Sequence, residues 1–270
     1  MKVNSLYLIS KIPYIVLSLL ILIIYFNLHK FHVYNEDYHL KYFYVWSHRI
    51  NFEGYDEGSR EATSSALNHG IYHFDIDIIY DESSYDFYVS HPSRFNKSYI
   101  YSYQTLIQFL DLVSLTISNV EILKSETLIS IEPKFKEHDL MKLLIQKINN
   151  HILAKHCAIT VRFLNHIQIV NIYGPKLSIA IPLRSKNLLS GELWNYETKK
   201  LSKFYTKNKI LIMPDILILR ENPNLLESLK VISKYFIVWM IDSDEDFDYA
   251  INNNLITGII TNYPAKFSNS

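Results

Sequence analysis

Two hydrophobic patterns divide the chain. From Pro13 to Phe26 (PYIVLSLLILIIYF) the residues are almost wholly apolar and show no polar face, with Lys2 and Lys11 before the run and Lys30 after it. A membrane-crossing helix takes roughly 17–25 apolar residues. With Leu28 and the flanking Tyr and His side chains as interfacial positions, the run is near the lower bound. A cleaved signal would end in small residues, whereas this chain continues Asn27-Leu28-His29-Lys30. The pattern predicts an uncleaved single-pass anchor over residues 1–30 and a polar, aromatic-bearing linker over 31–42. Cations flank both sides, so charge alone does not orient it; we expect the remaining domain on the extracytoplasmic side.

From residue 43 the pattern alternates. Strands are predicted at Phe43–Ser47, Tyr72–Ile79, Thr127–Glu132, Ala158–Arg162, Leu177–Ile181, Ile210–Met213, Phe236–Ile241 and Gly258–Thr261. Helical spacing lies between them, as in Asp139–Leu153 with Leu140, Leu143, Leu144, Ile148 and Ile152, and again in Leu225–Lys234 and Asp246–Asn253. Strand-rich segments separated by helical ones predict an α/β fold, a parallel (β/α)₈ barrel over residues 43–270. An open doubly wound sheet is the alternative, weakened by the lack of a GxGxxG or GxxxxGK[ST] phosphate loop. The acidic run Asp242–Asp248 after a strand reads as a solvated helix start, where the helix dipole favours acids.

Composition agrees and excludes some functions. The 270 residues suit one such barrel, which typically takes about 250. The 27 basic and 27 acidic residues cancel, so no global field invites nucleic acid. Cys157 is the single cysteine, which rules out an intramolecular disulfide and a four-cysteine zinc site.

The predicted strand ends carry more charge than packing needs. The first strand runs into Ser47-His48-Arg49. The second carries Asp75-Ile76-Asp77, two carboxylates on one side because strand side chains alternate. After a turn, Val89-Ser90 leads to His91, and the third strand ends Ser130-Ile131-Glu132-Pro133-Lys134. Asp75, Asp77 and Glu132 on adjacent strands would repel one another unless neutralised. A hard divalent cation would do this, and all-oxygen ligation suits Mg²⁺ or Ca²⁺ rather than Zn²⁺. Arg49 and Lys134 add positive charge usable by a phosphate. His48 and His91 titrate near neutrality and are candidates for proton transfer. In a barrel such groups belong at the C-terminal ends of the strands.

This order of residues resembles the glycerophosphodiester phosphodiesterase family: His-Arg after the first strand, Glu-Asn-Thr opening a helix, Glu-x-Asp, a second His, and Glu-x-Lys. His48-Arg49, Glu57-Gly58-Ser59, Asp75-Ile76-Asp77, His91 and Glu132-Pro133-Lys134 take these places, and Ala62, Ala66 and Gly70 fall at small positions of the first helix. Val238-Trp239-Met240-Ile241-Asp242 is similar to a strand containing Trp-Thr-Val-Asn. Gly258-Ile259-Ile260-Thr261-Asn262-Tyr263-Pro264 is similar to a closing Gly-hydrophobic-Thr-Asp-x-Pro. The similarity spans about residues 43–266 and is loose over 160–230. Departures are Ile50 for the glycine after His-Arg, Asp75 for Glu, Pro92 for Asp, and Gly58-Ser59 for Asn-Thr.

The resemblance implies metal-assisted hydrolysis of a glycerophosphodiester to glycerol 3-phosphate and an alcohol through a cyclic phosphate. One divalent cation would sit on Asp75, Asp77 and Glu132. His48 would act as base and His91 as acid. Arg49, Lys134, Glu57 and Trp239 would contact substrate, Trp239 as an apolar wall. Two other readings stay open: a related barrel enzyme cleaving intact phospholipids, and a membrane-tethered binding protein that has lost catalysis. The implied partners are a small-molecule or lipid-derived phosphodiester and, through the N-terminal helix, the membrane.

Overall fold

A computed structural model of the chain describes residues 43–118, 127–161, 164–183, 209–230 and 232–268. Among the described residues nine strands run in the order β1 (Tyr44–His48), β2 (His73–Asp81), β3 (Asp86–Val89), β4 (Ile129–Pro133), β5 (Cys157–Thr160), β6 (Ser178–Leu183), β7 (Ile210–Pro214), β8 (Tyr235–Val238) and β9 (Gly258–Thr261). The helices are α1 (Arg60–Asn68), α2 (Leu106–Ile117), α3 (His138–Asn149), α4 (Leu164–Tyr173), α5 (Ile216–Glu221), α6 (Leu225–Leu229), α7 (Asp244–Asn252) and α8 (Pro264–Phe267). β1 pairs in parallel with both β2 and β9, which closes the sheet, and parallel pairing continues β2-β4-β5-β6-β7-β8-β9. The result is a closed eight-stranded parallel barrel; the doubly wound alternative fails because its sheet would leave two open edges.

Side chains alternate between two cores. Along β2, Phe74, Ile76 and Ile78 join the apolar layer beneath the helices, where Phe74 meets Phe109 of α2 edge-on at 5.6 Å. The opposite phase faces the barrel axis, where Trp46, Ala158, Ala180, Leu211, Met213, Ile237 and Ile260 pack together. This is the filled interior expected of a barrel rather than a pore. Helix α3 buries Met141, Leu144, Ile145 and Ile148, one face at i, i+3, i+4 and i+7. Leu143 and Ile152, expected on that face, are exposed because the helix ends at Asn149 and presents the other stripe.

All eight predicted strands form. The largest shift is in β8, which ends at Val238 instead of Ile241 because Trp239 leaves the ladder to bridge Asp215 beyond β7. The sequence pattern did not reveal β3. It pairs antiparallel with the outer half of β2, from Ile78↔Val89 to Asp81↔Asp86. The turn between them is fastened by the Asp81 carboxylate, which accepts from Ser84 N and Ser84 Oγ, each at 2.9 Å. The acidic run after β8 is divided. Asp244, Glu245 and Asp246 lie in the first turn of α7, capped by Ser243 and paired with Lys266 and Arg220, whereas Asp242 points elsewhere.

No helix among the described residues is long and apolar enough to cross a membrane. The predicted anchor and linker, residues 1–42, lie outside the described residues.

Candidate active site at the barrel mouth

Strand β2 is the spine of the site. Its backbone carbonyls accept from the three segments that carry the candidate residues: Asp75 O from Arg49 N at 2.6 Å, Asp77 O from Ser90 N at 3.0 Å, and Ile78 O from Lys134 N at 2.9 Å. Register places His48 opposite Asp75 and Asp77 opposite Glu132. His48, Asp75, Asp77 and Glu132 therefore extend the inward phase of β1, β2 and β4 into the C-terminal mouth.

At that mouth the charges interlock. Lys134 Nζ lies 2.6 Å from Asp77 Oδ1 and 2.9 Å from Glu132 Oε2. Arg49 Nε is 2.8 Å from Asp77 Oδ2, an ionic contact whose N–H is not aligned for a hydrogen bond. Arg49 NH1 is 3.9 Å from Glu57 Oε1, and Arg94 Nε is 3.4 Å from Glu57 Oε2. Burial holds the Glu57 carboxyl above the usual range, against the pull of Arg94 and Arg49. Glu57 is held in place by the turn that follows it. Gly58 has φ +74°, and a Cβ there would meet Val89 O at 2.9 Å, so only glycine lets this loop approach β3. Ser59 then caps α1, its Oγ accepting from Ala62 N at 3.0 Å.

Both histidines flank this cluster, and the charges of Arg49, Asp77 and Lys134 act on each. Burial lowers the pKa of His48, and its Nδ1 lies 2.8 Å from Asn262 Oδ1. Burial and then the Arg49 charge lower the pKa of His91, whose Nδ1 is 2.7 Å from Ser93 Oγ and 3.3 Å from Ser93 N. Trp239 packs on the interior cluster and donates its indole N–H to Met213 O at 2.7 Å, so the ring is fixed as part of the wall above the core.

The carboxylates have an unmet acceptor. Asp75 is buried, its Oδ1 has no hydrogen-bond partner, and burial together with Asp77 pushes its carboxyl up to about 7. The orphaned oxygen of Asp75, with the Asp77 carboxylate acting on it, is a hard oxygen donor of the kind a divalent cation takes. Among the described residues no three His, Cys, Asp or Glu side chains are already drawn together as a metal centre. Asp77 and Glu132 are instead bridged by the Lys134 ammonium.

Of the nine candidates, Arg49, Glu57, Asp77, Glu132 and Lys134 share one ionic network, whose charges act on His48, Asp75 and His91, while Trp239 packs on the interior cluster. The sequence pattern did not single out Arg94, Asn262 or Asp242 as site residues. Asn262 continues the inward phase Gly258, Ile260, Asn262 of β9, a period-two signal that was available. Arg94 sits three residues past His91 and gave no signal beyond its charge.

Neither a protein-family model nor a curated protein matches the sequence. Solved structures do match the fold. A glycerophosphodiester phosphodiesterase from Parabacteroides distasonis has TM-score 0.64 and 17% identity, over 85% of this chain and 96% of that one. The enzyme of that name from Thermotoga maritima has TM-score 0.59 and 18% identity, over 86% and 99%. A phosphodiesterase from Oleispira antarctica, solved with the product sn-glycerol-3-phosphate, has TM-score 0.62 and 12% identity, over 84% and 95%. At these identities the likeness establishes a shared barrel.

Proposed function

We propose that this chain is a phosphoric diester hydrolase that cleaves glycerophosphodiesters to glycerol 3-phosphate and an alcohol. The observation that best supports this is the placing of His48 and His91 about one cluster of Arg49, Lys134 and carboxylates at the C-terminal mouth, where barrel enzymes keep their chemistry. The shared barrel of solved glycerophosphodiester phosphodiesterases adds to it.

Arg49 and Lys134 hold the diester's negative charge and stabilise it as it grows on the phosphoryl oxygens. His48, kept neutral by its lowered pKa, takes the proton of the substrate's neighbouring hydroxyl. That oxygen attacks phosphorus, and the leaving alkoxide takes its proton from His91. The Arg49 and Lys134 charges help to hold the His91 pKa down, so an anionic diester that offsets them favours the imidazolium needed for this step. In the second half His91 takes a proton from water, water opens the cyclic ester, and His48 returns its proton to the sugar-alcohol oxygen. A Mg²⁺ or Ca²⁺ ion held by Asp75, Asp77 and Glu132 would polarise the phosphoryl oxygens. Glu57 orients Arg49 and Arg94, and Trp239 offers an apolar wall to the glycerol or head group.

We further propose that residues 1–30 anchor the chain in a membrane, with the barrel of residues 43–270 on the extracytoplasmic side. The deciding experiment incubates the full-length protein in detergent with water-soluble glycerophosphodiesters and with lysolipids, each with Mg²⁺, Ca²⁺ or chelator. Metal-dependent release of glycerol 3-phosphate from the soluble diesters is expected. Turnover of lysolipids alone, read as release of the head-group alcohol, would redirect the assignment to phospholipid cleavage, and no turnover of any diester would leave a binding protein.

A further inference from the structure

The hydrogen bonds behind His48 form a relay with one consistent arrangement of protons. The Asp242 carboxylate can only accept. Its Oδ2 takes the Asn262 Nδ2–H at 2.7 Å, and its Oδ1 takes the Asn262 backbone N–H at 2.9 Å and the Thr261 hydroxyl at 3.1 Å. Because the amide nitrogen of Asn262 must face Asp242, its Oδ1 must face His48, and Nδ1 is 2.8 Å away. An amide oxygen cannot donate, so the proton has to sit on His48 Nδ1.

We propose that Asp242, acting through the Asn262 amide, is a positioning residue that holds neutral His48 in the Nδ1–H tautomer and leaves the Nε2 lone pair free at the barrel mouth. This rests on the diesterase reading above for its catalytic consequence but not for the tautomer.

Exchanging the two side chains makes the test. In Asp242→Asn the new amide oxygen still accepts from Asn262 N and Thr261. Its NH₂ then faces the NH₂ of Asn262, two donors in conflict. Asn262 relieves the conflict by flipping, which turns its NH₂ toward His48 Nδ1 and forces the proton to Nε2, where the base should be. Adding Asn262→Asp restores an acceptor for His48 Nδ1–H, because the new carboxylate receives both the imidazole proton and the amide of residue 242. The experiment is ¹⁵N NMR of imidazole-labelled full-length protein in detergent, at a pH where His48 is neutral, with diester kinetics alongside. Asp242→Asn should move the His48 proton from Nδ1 to Nε2 and lower kcat by on the order of 10²–10⁴-fold with KM within about threefold. The double variant Asp242→Asn/Asn262→Asp should return the proton to Nδ1 and recover most of kcat. If Asp242→Asn keeps the Nδ1–H tautomer, or the double variant fails to restore it, the relay is overturned. Should Asp242→Asn not fold, the double variant's tautomer alone decides. A wild type that turns over no diester yet shows the predicted tautomers sinks the functional reading and leaves the relay standing.

Discussion

Asp77 is clamped between two cations, with Arg49 Nε 2.8 Å from one carboxylate oxygen and Lys134 Nζ 2.6 Å from the other. Each cation is a candidate phosphate ligand, so this carboxylate both restrains the phosphate site and, on our proposal, ligates the metal. Asp77→Ala should weaken the metal and release Arg49 and Lys134 together. The expected result is lower activity, partly recovered at higher Mg²⁺ or Ca²⁺ and equally severe for substrates with acidic and basic leaving alcohols. Metal titration of both substrate types checks this, and a defect untouched by metal would remove Asp77 from the ligand set.

Ile50 follows Arg49 in a turn where both residues are left-handed, with φ 53° and 55°. A β-branched residue there is strained, at about 1–2 kcal/mol for an L residue, while its side chain is wholly buried. Both Ile50→Gly and Ile50→Ala lose most of that burial. They differ by one methyl, about 0.8 kcal/mol in favour of Ala, set against the strain that Gly alone relieves. We expect Ile50→Gly to be at least as stable as Ile50→Ala, reversing the usual order. Urea unfolding of the two variants measures it, and an Ala variant clearly ahead would show that the turn is not strained.

His166 in α4 is buried, and burial, with a smaller push from His138, lowers its pKa from the ordinary 6.5. The unfolded chain therefore binds this proton more tightly than the folded one. Stability should rise with pH up to about 6.5 and level off above, since unfolding takes up protons only below that point. His166→Gln should reduce the stability difference between about pH 5 and about pH 7 relative to wild type. Chemical denaturation at the two pH values tests it; an unchanged difference would mean that His166 ionises equally in both states.

Much of the barrel was legible because its strands are short apolar runs between helical periods, and the site because His48, Asp75, Asp77 and Glu132 are charged or titratable side chains breaking such runs. What escaped was local or long-range in a way that one-dimensional pattern cannot carry. β3 is four residues long and exists through pairing with β2. Asn262 bears no charge, meets Asp242 across 20 residues and His48 across 214, and only closure of the barrel brings those three together. Asp242 was read with its acidic neighbours as solvated. Asp244, Glu245 and Asp246 do sit in the first turn of α7, yet the carboxylate just before Ser243 faces the mouth.

The roles given to the two histidines can be separated by the chemistry of the leaving group. His91 Nδ1 lies 3.3 Å from the Ser93 backbone N–H, which can only donate, so in the neutral ring Nδ1 accepts and Nε2 carries the proton. That is the reverse of His48; to act as acid the ring must take a second proton on Nδ1, which the Ser93 hydroxyl at 2.7 Å is placed to accept. His91→Ala should lower turnover of a glycerophosphodiester with a simple alcohol by about 10²–10⁴-fold. A nitrophenyl leaving group departs as a stable anion and needs little protonation, so on that substrate the deficit should shrink. The metal requirement should not change, because His91 lies outside the carboxylate set. His48→Ala should behave differently, since the attacking hydroxyl must lose its proton whatever leaves, and its deficit should be similar on both substrates. Steady-state kinetics of the two variants on the two substrates provide the comparison. A His91 variant equally impaired on both, and rescued by added metal, would make His91 a ligand or a structural residue and place the acid elsewhere.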